Sequence, residues 1–171
     1  MKRLTVMRHA KSSWDDPSLA DFNRPLNERG WKAARRIGRE LKRRGTKFDF
    51  GLASTAARVR ETVDGLIEGY GQPDFEIRFD PRIYEASVAT LLDLVRDLPE
   101  TASAALLVGH NPGLERLVVE LTEPDDELRD RVANKFPTAA VAAIELPVDG
   151  WADVEPGRGR IAELLFPKEL D

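Results

Sequence analysis

The chain of 171 residues holds two histidines, and each follows a short apolar run. Leu4 to Met7 leads into Arg8-His9-Ala10-Lys11, and Ala105 to Val108 leads into Gly109-His110-Asn111-Pro112-Gly113. A buried strand that ends in charge presents that charge at its tip. In parallel α/β sheets ligands bind outside the carboxyl ends of the strands, so two such ends can bring both imidazoles to one crevice. Arg58 falls in the first turn of a helix, where a cation opposes the helix macrodipole. That local conflict fits a functional site; it also fits an exposed arginine paired with Glu61, although cation-before-acid is the weaker order on a helix. Glu85 stands just ahead of another helix, either as a carboxylate that helps the helix start or as an acid with work to do.

Taken together, two arginines, two histidines and one acid suit phosphoryl chemistry. The planar fork of arginine matches phosphate oxygens, and helix N-termini offer backbone donors to the same anion. One imidazole can add a donor while the other attacks phosphorus as a nucleophile. The resulting phosphohistidine splits one hard displacement into two easier ones, and positive surroundings stabilise the equatorial oxygens. No metal or other cofactor is required. A histidine-carboxylate metal hydrolase has only His9, His110 and scattered acids to draw on, with no closely spaced ligand pair.

These residues need a scaffold. Lys2 to Met7 reads as the first strand, followed by an aperiodic loop from Ser12 to Leu26, either a wall of the site or a surface excursion held down by Trp14 and Phe22. Trp31, Ala34, Ile37, Gly38 and Leu41 then recur at helical spacing, with Asn27 as N-cap and a stop at Gly45. The run Arg35, Arg36, Arg39, Lys42, Arg43, Arg44 reads as the solvated face of that helix. Phe48 to Ala53 is a second strand, and Ser54 or Thr55 caps the helix that carries Arg58. Phe75 to Phe79 alternates like a strand, and Leu91 to Leu98 marks a helix behind Glu85. Pro112 suits the first helical position, a turn that also reads as a plain strand-to-helix connection with Asn111 as cap and His110 incidental. Glu123 to Lys135 reads as one short exposed helix, and Ala139 to Leu146 and Arg160 to Phe166 close the chain as strands.

The length suits one domain, residues 1–171, with a single substantial core. A net charge of −4 argues against a general nucleic-acid partner, so any anion site must be a local concentration of cations. No cysteine is present, which excludes disulfides and thiolate chemistry. The apolar stretch after Met1-Lys2-Arg3 is too short for a signal peptide, and no run approaches a membrane span. A cytoplasmic protein without membrane attachment is expected.

In their order, Arg8-His9-Ala10, the Ser54 to Arg58 turn, Glu85 and Gly109-His110 resemble the histidine phosphatase superfamily. The nearer resemblance is to its small cap-less members, the SixA-type phosphohistidine phosphatases, through Met7 to Lys11, Arg24-Pro25-Leu26-Asn27-Glu28-Arg29-Gly30, Ile83-Tyr84-Glu85-Ala86-Ser87, Val108 to Gly113 and Phe136-Pro137-Thr138-Ala139-Ala140. The resemblance implies a three-layer α/β/α sandwich with a central, mostly parallel sheet, like that of phosphoglycerate mutase. It implies His9 as the residue that becomes phosphorylated, Arg8, Arg58 and His110 as the phosphate-binding clamp, and Glu85 as the acid that protonates the leaving group. Between Arg58 and Glu85, and between Glu85 and His110, there is room for little more than one helix and one strand. No cap fits there, and an open pocket favours a hydrolase that admits a protruding group over a mutase that must keep its phosphoenzyme dry. The expected substrate is a phosphorylated protein, with phosphohistidine first, or else a small phosphate ester. A module that binds phosphoryl groups without turnover is the remaining alternative.

Overall fold

A computed structural model describes residues 1–71 and 73–170. Six strands, β1 (Lys2–Arg8), β2 (Phe50–Ala53), β3 (Glu76–Phe79), β4 (Ala104–Gly109), β5 (Val141–Leu146) and β6 (Arg160–Leu165), form one sheet in the order β3-β2-β4-β1-β5-β6. The first four in that order are mutually parallel, while β5 and β6 run antiparallel at one edge. The sheet is therefore mixed and mostly parallel, as the resemblance implied. The central strands are apolar on both sides, as a sheet covered on both faces requires.

Two helices, α1 (Glu28–Arg43) and α2 (Ala57–Tyr70), cover one face over a core of Met7, Ile37, Leu66, Leu106 and Val141. The other face is covered by α3 (Val88–Arg96), α4 (Gly113–Leu121) and α5 (Glu127–Asn134). Leu114, Leu117, Val118 and Leu121 of α4 are fully buried there, each worth roughly 1.5–3 kcal/mol on leaving water. This gives the three layers.

Local rules explain the starts of several helices. Asn27 accepts from the Gly30 N–H at 2.8 Å and begins α1. Gly30 itself is required by contact, because a Cβ there would run into the Lys11 carbonyl. The expected caps of α2 are corrected, since its N-cap is Ala56, which has no cap side chain to offer. The stretch around Asp125 also folds less simply than expected: α5 is capped by Asp126, whose other oxygen accepts from Ile161 N–H on β6 at 2.8 Å, and Val132 faces the core.

Most of the α1 cations do lie on the surface. Arg35 pairs with Glu68, and Arg43 and Arg44 both pair with Glu40. Arg36 makes no such pair among the described residues and borders a groove lined also by Lys135 and Lys168.

Candidate active site

The register of the parallel strands sets the site. Arg8 lies opposite Gly109, and Met7 and Ala53 both lie opposite Val108. The next residues, His9, His110 and Ser54, therefore leave the carboxyl edge of three adjacent strands at one level. Backbone bonds from His9 N–H to the Gly109 carbonyl (3.0 Å) and from Ser54 N–H to the Val108 carbonyl (3.1 Å) extend the ladder by one step past the strands. The imidazoles of His9 and His110 lie 5.4 Å apart, centre to centre.

His9 is 7 % exposed. Its Nδ1 lies 2.7 Å from the Ala10 carbonyl. A carbonyl can only accept, so Nδ1 carries the proton and Nε2 keeps its lone pair. Burial pushes its pKa down to about 4, with Arg58 and Arg8 acting in the same direction, so the ring is neutral near pH 7. His110 is 8 % exposed, and its Nε2 lies 2.8 Å from Ser54 Oγ. Burial first, then His9 and Arg58, lower its pKa to about 3. Ser54 Oγ in turn accepts from the Ala56 N–H at 3.2 Å. The side chain read as a helix cap thus serves His110 as well.

Arg8 reaches the same place from the end of β1. Its Nη1 donates to the Phe136 carbonyl at 3.2 Å. That carbonyl also receives Asn111 Nδ2 at 2.8 Å, and Asn111 is joined to Pro112 by a cis peptide bond. Ala139, in the left-handed region at φ 62°, donates its N–H to the Arg8 and His9 carbonyls at 3.1 and 3.0 Å. The Phe136 to Ala140 segment therefore fixes the end of β1.

Arg58 is 7 % exposed and does not pair with Glu61. Its Nη1 donates to the Asp21 carbonyl at 2.8 Å and its Nη2 to Asp21 Oδ2 at 3.1 Å. Glu61 instead accepts from the Leu26 N–H at 2.7 Å. Asp21 belongs to a short 3₁₀ turn, Asp21–Asn23, inside the loop that read as aperiodic. Its carboxylate also takes the Tyr84 hydroxyl at 2.5 Å and Arg24 Nε at 3.2 Å. The Tyr84 hydroxyl, followed by the arginines, holds the Asp21 pKa at about 2, while burial and the Asp21 carboxylate raise that of Tyr84 to about 12.

The loop is not held down in the way its aromatic residues suggested. Trp14 is 76 % exposed, with the Arg24 guanidinium stacked 3.6 Å from its ring centre, and Arg24 Nη1 donates to Ser12 Oγ at 2.7 Å. Phe22 meets the edge of Tyr84. Charge, more than apolar burial, anchors this segment.

Glu85 is set apart from these four residues. It is exposed, in the left-handed region at φ 56°, next to Tyr84, whose ring lies 5.3 Å from that of His110. The structure gathers buried His9, Arg58 and His110 with half-buried Arg8 into one group and leaves Glu85 at its rim. Spacing gives Asp21 and Tyr84 no role in the site, and Ser54 only that of a helix cap. Asp21 and Arg58 are 37 positions apart, so no local pattern links them.

Among the described residues, three buried nitrogens in this group have no hydrogen-bond partner: Arg8 Nε, Arg58 Nε and His110 Nδ1. Each is a potential donor, and leaving a buried donor unpaired costs about 1–3 kcal/mol. Such a cluster suits a bound anion, and an oxyanion with several oxygens fits it best. Among the described residues no group of three His, Asp or Glu side chains could hold a metal ion.

Comparison with known proteins agrees with this geometry. Residues 4–143 match the family model of the histidine phosphatase superfamily (branch 1). An uncharacterized protein of Mycobacterium tuberculosis is 32 % identical over 165 residues, which take in 95 % of this chain and the whole of that one. The crystal structure of a candidate phosphohistidine phosphatase SixA from Agrobacterium tumefaciens has a TM-score of 0.81 and 30 % identity, covering 97 % of this chain and 98 % of the other. For a second candidate SixA, from Nakamurella multipartitia, the TM-score is 0.82 at 28 % identity, with 97 % and 96 % covered. With its strand-end histidines, the arginines beside them and its mixed sheet, this chain belongs to the histidine phosphatase superfamily (branch 1) as one of the small SixA-type phosphatases.

Proposed function

We propose that this phosphatase works without a metal, through a covalent phosphohistidine on His9, and that its substrate is protein phosphohistidine. The observation that carries the reading is the set of three unpartnered buried donors, from Arg8, Arg58 and His110, around a histidine whose Nε2 lone pair is kept free. In the first step Nε2 attacks phosphorus in line, and the bond from phosphorus to the substrate nitrogen breaks. In the second, water attacks the phosphorus on His9, orthophosphate departs, and His9 is restored.

The remaining residues divide the work. The Nε atoms of both arginines and Nδ1 of His110 donate to the equatorial oxygens, where charge accumulates. Ser54 supports the last of these, because a hydroxyl that donates to His110 Nε2 leaves the ring proton on Nδ1. Asp21 orients the Arg58 fork through Nη1 and Nη2 and leaves Nε for the substrate. Its pKa of about 2 makes it a poor proton donor near neutral pH. Glu85, at the rim, is assigned to protonate the leaving group and then to activate water.

The domain is read as one unit over residues 1–171 with no cap. Between Arg58 and Glu85 the chain forms the rest of α2, β3 and a 3₁₀ turn; between Glu85 and His110 it forms α3 and β4. A site open in this way admits a phosphorylated side chain that protrudes from a protein.

The test is rapid-quench labelling with a ³²P-phosphohistidine peptide. An acid-labile, base-stable label on the wild-type chain, absent from His9→Ala, is expected. Full labelling in His9→Ala overturns the mechanism. Faster turnover of a small phosphate ester than of every phosphohistidine peptide overturns the substrate, and tight binding with no release of phosphate would mark a binding module.

A further inference from the structure

Beside the active site, and separate from it, runs a groove of about 740 Å³ between α1, α5 and the end of β6. Lys11, Arg29, Lys32 and Arg36 line one wall, and Lys135 and Lys168 face them. None of these six makes an ion pair among the described residues. Arg131 also borders the groove, but it is held by Glu169, the one acid in the lining among the described residues. This concentration of positive charge stands in a chain whose net charge is −4. Arg29, Lys32 and Arg36 share one stripe of α1 through i, i+3, i+7 spacing, so the helix presents them together.

The groove meets the catalytic centre along the chain. Lys11 lies two residues past His9, and Pro137 and Thr138 immediately precede Ala139, whose N–H bonds the Arg8 and His9 carbonyls. Phe166, Pro137 and Pro167 add apolar surface.

We propose that this groove is the docking surface for an acidic stretch flanking the phosphorylated side chain of the protein substrate. The inference rests on the function proposed above and adds to it what the partner must carry. The arrangement of the cations selects the occupant. A single phosphate or carboxylate is held by buried, converging donors, as at Arg8, Arg58 and His110. The groove cations are mostly exposed, on flexible stems, and those on α1 alone spread over about 10 Å of helix at about 1.5 Å per residue. Spread charge of this kind suits a chain bearing several carboxylates, and the apolar floor accepts the aliphatic parts of the same chain.

The experiment compares two phosphohistidine peptides of equal length, one flanked by glutamates and one by serines. The full wild-type chain is set against the triple variant Arg29→Glu, Lys32→Glu, Arg36→Glu, with p-nitrophenyl phosphate as a small substrate that cannot reach the groove. Wild type is expected to show a KM lower by about tenfold for the acidic peptide, equivalent to about 1.4 kcal/mol, and this preference should shrink as salt screens it. In the triple variant the preference should disappear through KM while kcat, and turnover of p-nitrophenyl phosphate, stay unchanged. Should the triple variant fold poorly by circular dichroism, Lys135→Glu with Lys168→Glu on the opposite wall is expected to give the same result.

Equal KM values for the two peptides in wild type, or a preference that survives both variants, overturn the proposal. So does competition by inorganic tripolyphosphate where an unphosphorylated polyglutamate peptide fails to compete, because the groove would then be a small-polyanion site. Failure of the proposed function reads differently, since neither phosphohistidine peptide would be hydrolysed at all. In that case fluorescence anisotropy with labelled polyglutamate still decides the groove, with binding weakened by the triple variant in support and no binding against.

Discussion

Two imidazoles in one site are given different tasks by their hydrogen bonds. The Ala10 carbonyl takes the Nδ1 proton of His9 and leaves the Nε2 lone pair free, which the proposed mechanism uses for attack, whereas Ser54 engages Nε2 of His110 and leaves its buried Nδ1 without a partner among the described residues, which the proposal assigns to the phosphoryl group. Ser54→Ala should therefore weaken transition-state binding without touching the nucleophile. The loss of one hydrogen bond of about 1 kcal/mol predicts a fall of roughly fivefold in kcat/KM with the phosphoenzyme still forming, measured by steady-state kinetics beside rapid-quench labelling. A variant that no longer labels at all would show that Ser54 does more than orient His110. At this scale the sequence pointed to His9, His110, Arg8 and Arg58 through their residue types and their places at strand and helix ends. It gave no sign of Asp21, because the bond from Arg58 to Asp21 closes between residues far apart in the chain and depends on the path of the 12–26 loop.

At the scale of elements, what positions these residues is a set of close contacts at the carboxyl edge of the sheet. Gly30 lets the start of α1 rest on the Lys11 carbonyl, which ties that helix to the segment immediately after His9. Adding a methyl group forces backbone apart, since no flexible side chain is there to give way. Gly30→Ala should destabilise the fold by about 1–3 kcal/mol, the usual range for overpacking, and should lower activity as well by shifting Lys11 and with it the His9 turn. Urea unfolding followed by a kinetic assay checks both, and a variant as stable as wild type would argue that the contact is not close. The helix and strand types were legible from apolar periodicity and turn residues. Cap details were less so: Ser54 had two uses open to it and Ala56 took the cap position, because the register of β2 aims the serine hydroxyl at His110.

For the whole molecule, burial of both histidines links stability to pH. Their pKa values fall from 6.5 to about 4 and about 3 in the fold. As the pH drops below about 6.5 the unfolded chain takes up protons that the fold refuses, so stability is full above that value and declines on acidification. The decline stops only near the folded values, with a slope of at most about 1.4 kcal/mol per pH unit for each imidazole. Denaturant melts between pH 7.5 and 4.5 should show this loss, and it should be smaller in the double variant His9→Gln, His110→Gln; an equal loss there would assign the pH dependence to other groups. The alternation of strands and helices and the kinds of residue offered for chemistry were legible along the chain, since these follow from local periodicity and from side-chain chemistry, while the layering of the sheet between helices came from the family resemblance. Folding in three dimensions is what brings β2, β4 and β1 to end level, turns Asp21 back onto Arg58, keeps Glu85 at the rim, and puts cations from α1 and Lys168 in one groove. Those outcomes depend on strand register and loop closure, which couple residues across long stretches of chain and leave no local pattern to read.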